Sequence, residues 1–220
     1  MPTVYYIGDS TVARNNFRSY PQTGMSQGLH LFLSERVTIS SHAKNGRSTK
    51  SFIDEGRFPA VEQGMQEGDF LFIQFGHNDE KPDEARHTDP DTTFQDNLRF
   101  FIAAARRKGA HPLLITPIGR RLFDEEGNFK PGSHGAYPDA IRKVAAETGT
   151  PLVDLTAVTE KFLAETGDEP TKPLFMWPID NTHLKPEGAM KMAQFLAEGL
   201  EKLGEPYSGL LAGTDEGPGV

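Results

Sequence analysis

The segment Asp69-Phe70-Leu71-Phe72-Ile73-Gln74-Phe75 is almost continuously apolar. A strand that faces water on one side alternates apolar with polar residues, whereas one covered on both faces does not. A chain holding such a segment must supply layers for both sides of a sheet. Shorter apolar runs of the same kind stand at Val4-Tyr5-Tyr6-Ile7, Val37-Thr38-Ile39, Leu113-Leu114-Ile115 and Leu152-Val153-Asp154-Leu155.

Between these runs the apolar residues take helical spacing. Met25, Leu29 and Phe32 mark a helix over residues 24–35, and a weaker one over 51–65 is interrupted by Gly56 and Pro59. Phe94, Leu98, Phe101, Ile102 and Ala105 keep the 3-4 spacing through to Lys108, with Thr92 or Thr93 as cap and Gly109 as stop. Further helical faces are Tyr137, Ile141, Val144 and Ala145, ended by Gly149; Val158, Phe162 and Leu163; and Ala189 to Leu203 after Pro186. Strands alternating with helices in this way predict an α/β fold with a parallel sheet between helical layers. The pattern forms one domain over residues 1–204, and the Gly- and Pro-rich residues 205–220 are expected to be a loosely ordered tail.

The sheet matters for function because ligands gather at the carboxyl ends of parallel strands. The first run ends in Gly8-Asp9-Ser10-Thr11, the second leads to Asn45-Gly46-Arg47-Ser48, and the third ends in Gly76-His77-Asn78-Asp79. A serine hydroxyl is a poor nucleophile unless a base, a group orienting that base, and oxyanion donors stand beside it. Asp180 and His183 are three residues apart, so the carboxylate can hold one ring nitrogen while the other faces a nucleophile. Each motif alone is weak: serines after strands cap helices, and asparagines stabilise turns. Their joint placement at strand ends is what points to one crevice.

Composition narrows the partners. The net charge is −8 and no basic block occurs, so neither nucleic acid nor an anionic membrane is an expected partner. Cysteine is absent, which removes disulfides, thiolate zinc ligation and thiol catalysis. No stretch approaches the ~20 apolar residues of a membrane span. The first apolar run starts by Val4, leaving no room for an export signal ahead of it, so the expected location is cytoplasmic.

The motifs Gly8-Asp9-Ser10, Gly46, Gly76-His77-Asn78-Asp79 and Asp180-Asn181-Thr182-His183, in that order, make the chain resemble the SGNH, or GDSL-type, hydrolases. The resemblance implies a flavodoxin-like three-layer α/β/α sandwich around a five-stranded parallel sheet, and serine ester hydrolysis without metal or cofactor. It implies Ser10 as nucleophile, His183 as base, Asp180 as its orienting partner, and an oxyanion hole of the Ser10 and Gly46 N–H groups with the Asn78 amide. Within that superfamily the motifs look most like the rhamnogalacturonan acetylesterase branch, although Met25 stands where an aromatic often follows the glycine. The expected substrate is an acetylated, imported oligosaccharide.

Three further residues are candidates for holding it. Arg120 and Arg121 lie in a loop expected to overhang the strand ends, where a guanidinium pairs well with a uronate carboxylate. Trp177 offers an aromatic face to a sugar ring. His77 reads as a hydrogen-bonded structural histidine behind Asn78.

Rival readings are less well supplied. A dinuclear phosphoesterase built on Asp9, His77, Asn78, Asp79 and His183 lacks the Asp-x-His and Gly-His-x-His spacings it needs. An α/β-hydrolase nucleophile turn is Gly-x-Ser-x-Gly, and Val12 occupies the last place here. A non-catalytic sugar-binding module would retain its ligand without Ser10 or His183. Acetyl-xylan, thioester or broad ester hydrolysis fits the same motifs.

Overall fold

A computed structural model describes residues 1–213. In chain order the elements are β1 (Thr3–Gly8), α1 (Met25–Leu29), β2 (Thr38–Ser41), α2 (Thr49–Asp54), α3 (Phe58–Gly64), β3 (Phe70–Gln74), α4 (Thr93–Arg107), β4 (His111–Ile115), α5 (Tyr137–Thr148), β5 (Leu152–Val153), α6 (Leu155–Thr166), α7 (Asp168–Thr171) and α8 (Pro186–Leu203). The strands form one parallel sheet in the order β2-β1-β3-β4-β5, the flavodoxin-like arrangement.

Side chains alternate across the sheet into two cores. Val4, Tyr6, Phe70, Phe72, Leu113 and Ile115 pack with α1, α6 and α8, while Ile7, Leu71, Ile73 and Leu114 pack with α2, α3, α4 and α5. All five residues of β3 are buried, as the apolar run requires. Because β1 lies between β2 and β3, the loops leaving these three strands are neighbours. That adjacency positions the site.

Several boundaries differ from the sequence expectation, and each difference has a local cause. The window at 51–65 divides into α2 and α3, with Gly56 at φ +64° between them and Pro59 in the first turn of α3. Leu155 opens α6 instead of closing a strand, since the Asp154 carboxylate accepts the Ala157 N–H at 3.2 Å and caps the helix. The helix expected over 24–35 stops at Leu29 because the chain beyond it pairs with the C-terminal segment: Ser34 N–H donates to the Leu210 carbonyl, and Ala212 N–H to that of Phe32.

The same pairing corrects the expectation of a loose tail from residue 205. Tyr207 and Leu210 are buried, and the Tyr207 hydroxyl donates to the Pro112 carbonyl at 2.8 Å. Burial pushes that phenol up to about 12. Glycine and proline mark irregular backbone, but two apolar side chains are enough to anchor it. Residues 214–220 of the expected tail lie outside the described residues. Among the described residues no helix is long and apolar enough to cross a membrane.

Candidate active site

The turn after β1 is held by Asp9. Its carbonyl accepts the N–H groups of Val12 and Ala13, and its buried carboxylate accepts both the Thr11 N–H and hydroxyl at 2.9 Å. Burial raises the Asp9 carboxyl despite those bonds. Gly8 is obligatory here, since a Cβ would stand 2.6 Å from the Gln74 carbonyl oxygen of β3. The turn leaves Ser10 just below the surface, 8% exposed.

His183 Nε2 lies 2.9 Å from Ser10 Oγ, across 173 residues of sequence. Its Nδ1 donates to Asp180 Oδ2 at 2.9 Å, while Asp180 Oδ1 accepts the N–H groups of Thr182 at 2.8 Å and His183 at 2.7 Å. Burial works to raise the Asp180 carboxyl, but these hydrogen bonds outweigh it and hold the group below its usual value. A carboxylate on Nδ1 fixes the proton there and leaves the Nε2 lone pair for the serine hydroxyl.

Gly46 takes φ +78°, a left-handed conformation that disfavours other residues. Lys44 N–H donates to the Gly8 carbonyl at 3.0 Å, so this loop is strapped to the end of β1. Among the described residues neither the Ser10 nor the Gly46 N–H donates to a protein acceptor. Asn78 Nδ2 donates to the Arg47 carbonyl at 3.2 Å, which occupies one of its two hydrogens. Ser10, Gly46 and Asn78 thus lie on the neighbouring loops that leave β1, β2 and β3.

Asp79 secures the Asn78 turn from below. Its Oδ1 accepts the Thr49 N–H at 3.0 Å, the Thr49 hydroxyl at 2.5 Å and the Thr88 hydroxyl at 3.1 Å. Complete burial pushes this carboxyl up to about 7. His77 is structural but not hydrogen-bonded, against expectation: among the described residues neither ring nitrogen has a partner, and the ring stands edge-on to His134 at 4.3 Å. Burial and its cationic neighbours keep it well below the usual imidazole value.

Of the other sequence candidates, Arg121 and Trp177 stack on one another while Arg120 is paired with Glu80. Arg121 is a buried strut: it pairs with Asp168, and further donors go to Thr171 at 3.1 Å and Asn181 at 3.3 Å. Four of its five guanidinium N–H groups are thus engaged within the protein, the fourth by the Asp168 carbonyl. Arg120 is half-buried, paired with Glu80 at 2.5 Å and bonded to the Ser133 carbonyl. Trp177 covers the Arg121 guanidinium at 5.0 Å and the Lys172 ammonium at 5.2 Å. Met25 belongs to the core beneath α8 rather than to a wall of the site.

No motif in the sequence points to Arg86, which lies between β3 and α4. Its Nη1 donates to Asn78 Oδ1 at 3.4 Å while its Nε and Nη2 clasp Asp83, so the Asn78 amide is held at its oxygen as well as at its nitrogen. No spacing in the sequence signals that contact. Among the described residues no three His, Asp or Glu side chains converge as a metal site would need.

A serine hydroxyl bonded to an imidazole that a carboxylate holds is an arrangement able to carry out acyl transfer. Comparison with known proteins agrees in kind. The chain is 42% identical over 215 residues to a Bacillus subtilis protein named rhamnogalacturonan acetylesterase RhgT, covering 92% of this chain and 91% of that one. It is 39% identical over 212 residues to the probable rhamnogalacturonan acetylesterase YesY of the same organism, covering 93% and 95%. Among solved structures, that of the Bacillus subtilis protein YxiM superposes with a TM-score of 0.84 at 27% identity, covering 93% of this chain and 57% of that one. Residues 6–191 match the model of the GDSL-like lipase/acylhydrolase family, and the chain belongs to that family.

Proposed function

We propose that this chain is a serine esterase that removes O-acetyl groups from carbohydrate, with acetylated rhamnogalacturonan oligosaccharide as substrate. The observation that carries the chemistry is the unbroken series Ser10 Oγ, His183 Nε2, His183 Nδ1, Asp180 Oδ2, each contact 2.9 Å, together with the N–H groups of Ser10 and Gly46, which have no protein acceptor among the described residues. The substrate class is supported by the names of the relatives at 42% and 39% identity.

Ser10 Oγ attacks the acetyl carbonyl carbon while His183 Nε2 takes the hydroxyl proton. Negative charge on the carbonyl oxygen meets the N–H groups of Ser10 and Gly46 and the Asn78 amide. Collapse breaks the bond to the sugar oxygen, which receives the proton from His183 and leaves as an alcohol. Water, deprotonated by His183, then attacks the acetyl-serine, and acetate departs as Ser10 regains its proton. Asp180 stays ionised throughout and steadies the imidazolium.

The test is acetate release from acetylated rhamnogalacturonan oligosaccharide by the wild type and by Ser10→Ala, with EDTA present. Release by the first and loss in the second is the expected result. Full activity in Ser10→Ala, or loss of wild-type activity on chelation, overturns the mechanism. Release only from acetylated xylo-oligosaccharide overturns the substrate.

A further inference from the structure

A cavity of about 530 Å³ opens beside the edge strand β2, lined by Arg14, Ser26, Gln27, His30, Ser40 and Ser41 together with Ile39. Its size suits a sugar-sized ligand. Resting on the acetylesterase reading above, we infer that this cavity is a subsite for an uronate residue of the substrate, with Arg14 receiving its carboxylate.

Chemistry of the lining supports an anionic, hydroxyl-rich ligand. Arg14 is exposed, and among the described residues its guanidinium makes neither a hydrogen bond nor an ion pair, in contrast to Arg120 and Arg121. No carboxylate lines the cavity, although the chain carries 31 Asp and Glu against 23 Lys and Arg. A surface of that sign repels a polyuronate, so binding must concentrate where a cation stands unneutralised. The hydroxyls of Ser40 and Ser41 suit sugar hydroxyls. His30 Nδ1 donates to the Gln27 carbonyl, which leaves Nε2 as an acceptor for another.

Position ties the cavity to the reacting centre. Ser41 stands in register with Tyr6, two residues before Gly8, about 7 Å along the strand. Asn15 forms the bridge between the two. Its N–H donates to Gln27 Oε1 of the cavity at 2.8 Å, and its Oδ1 accepts Asn45 Nδ2, next to Gly46, at 3.1 Å. A chain whose acetyl group reaches Ser10 can therefore extend over Asn15 into the cavity without crossing a core element.

The experiment compares acetylated rhamnogalacturonan oligosaccharide with its carboxyl-reduced form, on the wild type and on Arg14→Gln. The wild type should prefer the uronate form by about tenfold in kcat/KM, as a charge-assisted contact at an exposed site gives, and the preference should shrink with added salt and vanish in Arg14→Gln. An unchanged preference in Arg14→Gln overturns the subsite. Calorimetry with de-acetylated oligosaccharide separates this from failure of the esterase reading. Binding by the wild type that weakens about tenfold in Arg14→Gln supports the subsite even if no acetate is released. Equal binding by both proteins, or none by the wild type, overturns it.

Discussion

The Asn78 amide donates to the Arg47 carbonyl at 3.2 Å, joining the loop after β3 to the loop that carries Gly46. One side chain thus ties the loop of Gly46 to the Asn78 turn, two of the three places proposed to supply oxyanion donors. Replacing it with alanine should lower kcat by roughly 100- to 1,000-fold. Because Asp79 and Thr49 hold the turn independently, the melting temperature should move little. A loss below about threefold in steady-state turnover would remove Asn78 from the oxyanion hole.

Asp180→Asn should lower kcat by about 10,000-fold, since an amide at this position permits the wrong imidazole tautomer while keeping the shape. A pH effect follows from the same group. Its carboxyl is held below the ordinary value, so the stability it confers is present above the unfolded-state value and is lost as pH falls through the folded one. Thermal melts below about pH 4 should therefore show a shallower acid-side decline in Asp180→Asn than in the wild type. Parallel declines would show that the Asp180 carboxyl titrates in the folded protein as it does in the unfolded chain.

How far the sequence disclosed this molecule depended on whether a feature was local. The almost continuously apolar β3 predicted cover on both faces, and the strand-end motifs predicted a shared crevice; both readings follow from periodicity and turn chemistry that neighbours in sequence encode. The strand order that makes Ser10, Gly46 and Asn78 adjacent is a tertiary fact. Arg121 illustrates what stays hidden: nothing in its flanks reveals that Asp168, 47 positions on, will bury it. The end of α1 and the ordering of residues 205–213 were concealed for one common reason, a pairing between segments about 175 residues apart that neither segment announces.

If Arg121 is a strut, Arg121→Ala should destabilise the fold by about 3 kcal/mol in denaturant titration, the low end for breaking a buried ion pair because Asp168 remains 29% exposed. The preference for a uronate substrate over its carboxyl-reduced form should stay as in the wild type. Collapse of that preference would restore Arg121 to the substrate site.

Asp79 offers the sharpest pH test, because burial sets its carboxyl at about 7 in the folded protein against an ordinary 3.8. Between these values the unfolded chain gives up a proton that the folded chain keeps, so stability from this group is complete below about pH 4 and is lost as pH rises through about 7. A shift of that size corresponds to something on the order of 4 kcal/mol. Asp79→Asn cannot titrate, and its amide oxygen can still accept from Thr49 and Thr88 as Oδ1 does. Its Nδ2 would replace Oδ2, which has no partner among the described residues, so the variant keeps the interactions and discards the charge. Denaturation at a series of pH values should give two curves that nearly coincide near pH 4 and separate by pH 8, with the wild type falling below the variant. Curves that stay parallel from pH 4 to 8 would show that Asp79 is ionised throughout, sustained by its three donors against the cost of burial.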